Sequence, residues 1–75
     1  MDPLLRARRA ADLLNDEVLQ EVFSVVELEQ VGVFMYPTSS EEDIMEARRM
    51  VRALGALRDR LKAFADEAKF AERRK

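Results

Sequence analysis

The chain has 75 residues, 37% of them charged, and a formal net charge of −2. It contains no cysteine and no histidine, which excludes disulfides, thiolate metal sites, the usual general base and the commonest zinc ligand. A single small domain over residues 1–75 is the ceiling, with a core that contributes a narrow margin of stability and no staple to add to it.

Two glycines and two prolines are too few for a loop-rich fold, and the high charged fraction suits a helical chain. The charges are sorted along it. Residues 1–15 carry Arg6, Arg8 and Arg9 against Asp2 and Asp12, residues 16–47 carry nine acids and no base, and residues 48–75 carry ten bases against four acids. The order is plus, minus, plus.

"MDPLLRARRAADLL" predicts a first helix over 3–14. Asp2 is placed to cap it, and Pro3 fits the first helical position, where its missing N–H costs nothing. Asn15-Asp16-Glu17 supplies a second cap with acids in the next first turn, so a break is expected there rather than one long kinked helix. The second helix is expected over 16–35. At 100° per residue Val18, Leu19, Val22, Phe23, Val25, Val26 and Val33 share an arc of about 160°, which is expected to face the last helix. Gln20, Glu21, Ser24 and Glu27 fall on the other side. So many β-branched residues lower helix propensity, and packing has to sustain the element. A strand at "VGVFMY" lacks strict alternation and any segment to pair with.

Tyr36-Pro37 ends the second helix, because proline disfavours the α conformation in the residue before it. Ser39 with Glu42, or Ser40 with Asp43, then forms a capping box for a last helix over 40–73. Its apolar residues are Ile44, Ala47, Val51, Leu54, Leu57, Leu61, Phe64, Ala68 and Ala71, at steps of three and four. That is close to a coiled-coil seam, with a slip at Leu54–Leu57. Gly55, between Ala53 and Ala56, is a point where another helix can approach closely, or simple drift.

A short connection between long helices implies that they lie antiparallel. The expected fold is therefore an all-α helical hairpin of two long helices with a short N-terminal helix, one that oligomerises. Thirty residues of helix reach about 45 Å, so the acidic turn and the basic open end stand well apart. Leu28, Val31 and Met35 point away from the apolar arc, within about 60° of one another. With Glu29, Phe34 and Tyr36 they make an apolar patch at an acidic tip, the candidate partner-binding site. Glu29 falls inside the apolar arc of its helix, as a residue paired with a partner's arginine or as a solvated rim.

Chemical signatures are missing. Gly32 and Gly55 stand alone, so no glycine-rich phosphate loop exists, and Ser24, Ser39 and Ser40 have no histidine to activate them. The acids of "EEDIME" are better read as first-turn residues favoured by the helix dipole than as cation ligands. No enzymatic activity, cofactor, metal or small-molecule substrate is expected. Arg6, Arg8, Arg9, Arg73 and Arg74 offer a weak, non-specific phosphate contact. No aromatic is interleaved to stack on bases, which argues against nucleic acid. The longest apolar run is six residues, against roughly twenty for a membrane span. No targeting segment is seen, so synthesis in the cytoplasm is expected.

The order "RARRAADLLNDEVLQEVFSVVELEQ", then a Pro/Ser linker followed by acids, then a last helix ending in "AKFAERRK", resembles a group of short helical proteins of tailed bacteriophages, the short-tailed type above all. The likeness is one of pattern over nearly the whole chain; Phe34 and Tyr36 stand where a tryptophan is usual. Such proteins are encoded among head, packaging and tail-assembly genes, and they carry no assigned enzymatic activity. The resemblance implies a virion-associated or assembly protein made in the host cytoplasm, binding copies of itself or a larger phage protein. Two alternatives stay open: a small acidic inhibitor of a host factor, acting through Glu27, Glu29, Glu41, Glu42 and Asp43, and a DNA-packaging accessory using the basic end.

Overall fold

The computed structural model describes residues 1–73. The protein is all-α: α1 spans Pro3–Leu14, α2 Glu17–Met35 and α3 Glu41–Arg73, with no strand among the described residues.

Local chemistry sets each boundary. Pro3 opens α1 and the Asp2 carboxylate faces the Leu4 N–H at 3.4 Å. At the other end the Asn15 N–H donates to the Ala11 carbonyl at 3.1 Å, and the Asp16 N–H to that of Leu13 at 3.1 Å. Asp16 then starts α2, its Oδ1 accepting from the Leu19 N–H at 2.8 Å. The Gln20 amide reaches back to the Leu14 carbonyl at 2.7 Å, satisfying an acceptor that the end of α1 leaves open. Tyr36 is extended (φ −81, ψ 120), as the following proline requires. Of the two capping boxes open to the chain, Ser40 with Asp43 forms: the Asp43 N–H donates to Ser40 Oγ at 3.0 Å, and the Ser40 N–H to Asp43 Oδ2 at 3.1 Å.

α3 is the common partner. Both α1 and α2 pack on it and barely touch each other. Arg6 of α1 lies 4.1 Å over the Phe64 ring and pairs with Glu67 at 2.8 Å. Arg58 lies 4.8 Å over the Phe23 ring of α2 and pairs with Glu27. As the numbering rises from Arg6 to Glu27, the partners on α3 fall from Glu67 to Arg58. The result is a rod of 57 × 21 × 19 Å.

Its core is thin. Ala7, Ala10, Phe23, Ala47 and Leu54 are the buried apolar residues among those described, and just two of these side chains are large. Alanines at Ala7 and Ala10 present a low surface that lets α1 lie close against α3.

Two expectations about faces are corrected. On α2 the buried line runs through Phe23, flanked by half-buried Leu19, Val26, Glu27 and Gln30, while Val18, Val22 and Val25 are exposed. The arc of about 160° is wider than one neighbouring helix covers, and Arg58 draws the Phe23–Glu27 side inward. On α3 Leu54 is buried but Val51 and Leu57 are exposed. The steps from Val51 to Leu54 to Leu57 each turn the side chain about 60° in the same sense, so one line of contact holds the middle residue alone. Ile44, Leu61 and Phe64 are half-buried; Ala68 and Ala71 lie outside the described side chains.

Candidate interaction site

The last turns of α2 and the linker form the tip. Leu28, Val31, Met35 and Tyr36 are exposed there, Leu28 by 69% and Met35 by 78%. Phe34 is exposed as well, although by angle it lies only about 20° from the line of Phe23. Val33, between them, is half-buried. Glu29 is exposed and makes no ion pair among the described residues. The tip is thus a set of large apolar side chains in water, with Glu41, Glu42 and Asp43 exposed beyond the linker.

What such a surface can do is bind. Burial of apolar area is its one large favourable term, and the surrounding carboxylates select against acidic partners. The Asp43 carboxylate already accepts from the Ser40 N–H, and among the described residues no three carboxylates gather where a metal ion would sit.

Arg6 is committed to Phe64 and Glu67. Arg8 and Arg9 are exposed; the side chain of Arg73 and all of Arg74 lie outside the described residues. No described helix is long and apolar enough to cross a membrane.

A second apolar surface was not read from the sequence. Val18, Val22, Val25 and Val26, with Glu21, line a shallow groove of about 290 Å³ on α2. Val18 is 69% exposed and Leu57 of α3 57%. The width of the α2 apolar arc was the signal: one helix could not cover it, so part of it had to remain in water.

No family model, curated protein or solved structure matches the chain.

Proposed function

We propose that the chain is a non-enzymatic assembly protein that folds as an antiparallel helical hairpin and docks through its tip onto a larger protein of a tailed-phage particle. The two arginine-centred contacts support the hairpin, since Arg6–Glu67 and Glu27–Arg58 pair rising numbers with falling ones. The exposed tip carries the functional reading. Leu28, Val31, Phe34, Met35 and Tyr36 all stand in water, and burying such a side chain contributes about 1.5–3 kcal/mol. A handful of residues on this scale is enough for the centre of a specific interface, with Glu29 and the acids of α3 as its polar rim.

Complementation tests the reading. In the replicon that encodes the chain, deletion is expected to stop particle production, and the wild-type gene to restore it. Val31→Asp/Met35→Asp should fail to restore particles while the purified variant keeps its helical circular dichroism. Undiminished particle yield after deletion would overturn the proposal, and so would full rescue by the tip variant.

A further inference from the structure

We propose that a second copy of this chain covers the flank formed by Val18, Val22 and Val25 of α2 with Met50 and Leu57 of α3, the two copies lying antiparallel. This rests on the hairpin arrangement proposed above, and it assigns an occupant to a surface distinct from the tip.

Area makes the first argument. The chain exposes 6320 Å², whereas a folded monomer of its mass exposes about 4,700 Å², an excess of about 1,600 Å². Two copies together hold about twice that excess, which falls inside the roughly 2,000–5,000 Å² that obligate homodimers bury. The shape agrees: the radius of gyration is 16.4 Å, against about 11 Å for a compact domain of this length.

Placement makes the second. Val18, Val22 and Val25 span an arc of about 60° on α2, displaced backwards in rotation from the line of Phe23. Met50 and Leu57 lie within about 20° of each other on α3, displaced backwards from the line of Leu54. On helices of opposite direction, displacement in the same sense brings Val22, Met50 and Leu57 to one side of the pair, and Val18 and Val25, about 140–160° from Phe23, turn from that side onto the outer face of α2. All five residues are exposed, so apolar side chains run from that side of the rod round the outside of α2.

Charge sets the orientation. Residues 16–60 carry ten acids against five bases, and the rest of the chain eight bases against five acids. Among the described side chains outside 16–60 the balance is five bases against four acids, so copies stacked in parallel set acidic half against acidic half, and antiparallel copies set it on a half with a small excess of bases.

The test is sedimentation equilibrium across a concentration series, with spin-label distances on unique cysteines, since the chain has no native cysteine. Wild type is expected at twice the chain mass of 8.7 kDa. Val22→Asp/Leu57→Asp should reduce it to one mass with helicity kept, and Val31→Asp/Met35→Asp should leave it dimeric. Labels at Ser39→Cys should lie more than about 40 Å apart between copies, because the rod is 57 Å long and helices rise about 1.5 Å per residue. Ser24→Cys/Lys62→Cys, one label on α2 and one on α3, diluted in unlabelled chain, reports the hairpin itself: a short distance upholds it and a long one overturns it along with the pairing. With that distance short, a monomeric wild type overturns the pairing alone. Ser39 labels close together, or a dimer lost in the tip variant and kept in the flank variant, do the same. Should the flank variant unfold, Val18→Thr/Val25→Thr is expected to weaken dimerisation at least 10-fold, and an unchanged dissociation constant overturns the proposal.

Discussion

Arg58 combines roles that a lysine would divide. Its guanidinium covers the Phe23 ring at 4.8 Å while pairing with Glu27, and the residue is half-buried. A cation–π contact at a part-exposed site is worth about 0.5–1 kcal/mol and a part-exposed ion pair about 0.2–1 kcal/mol. Arg58→Ala should therefore cost about 1–2 kcal/mol in urea unfolding, and Arg58→Lys less, because an ammonium keeps the charge but loses the planar fork. A cost within error for Arg58→Ala would remove this contact from the account of why α2 presents Phe23 to α3. Gly55 tests the opposite case. A Cβ there meets nothing within 4 Å and no glycine has a positive φ, so no close helix approach within the chain depends on it. Gly55→Ala should stabilise by about 1 kcal/mol, a rise in Tm of about 4–8 °C for a domain this small. A fall in Tm would mean that something outside the chain packs on this glycine.

At the level of elements, what was readable in the sequence separates cleanly by range. Caps act over three or four residues, so Asp16 before α2 and the Ser40–Asp43 box before α3 are visible as local patterns, as are Pro3 at one start and Tyr36-Pro37 at one end. The all-helical class follows from them and from the spacing of apolar residues. Which part of an apolar face gets covered is a different matter, because it depends on the width and side chains of the partner. Periodicity alone made Val18, Val22 and Val25 equal to Phe23, and it could not see that Arg58 would select one edge of the arc. In the same way it strung Val51, Leu54 and Leu57 on one seam, although two steps of three turn past any single line of contact. Leu28, Val31 and Met35 were readable as candidates because they lie off the arc; what they bind is not encoded in their spacing. The cap at Asp16 has its own test. Asp16→Ala removes the acceptor for the Leu19 N–H, which should cost about 1 kcal/mol and lower the urea midpoint without changing the slope. Asp16→Asn, which keeps an acceptor at the same position, should recover most of the loss.

For the whole molecule, the balance between a thin core and a long exposed surface decides how stability should respond to concentration and salt. Phe23 and Leu54 are the large buried residues among those described, and the pairing of copies proposed above would add to that burial. A species stabilised by association has a concentration-dependent Tm: a 100-fold dilution should lower it for the wild type and leave it fixed for Val22→Asp/Leu57→Asp. The sign of the salt effect then discriminates between surfaces. If copies meet along the flank in antiparallel fashion, acidic halves face basic ones, and raising NaCl from about 0.05 to about 1 M shortens the screening length from over 10 Å to about 3 Å. The dissociation constant should then rise. If copies met tip to tip, Glu29, Glu41, Glu42 and Asp43 of one chain would confront the same acids of the other, and screening would tighten the pair instead. One salt series on the wild type, read by sedimentation, thus tells the two contacts apart before any residue is changed, because each geometry commits the same charges to opposite signs of interaction.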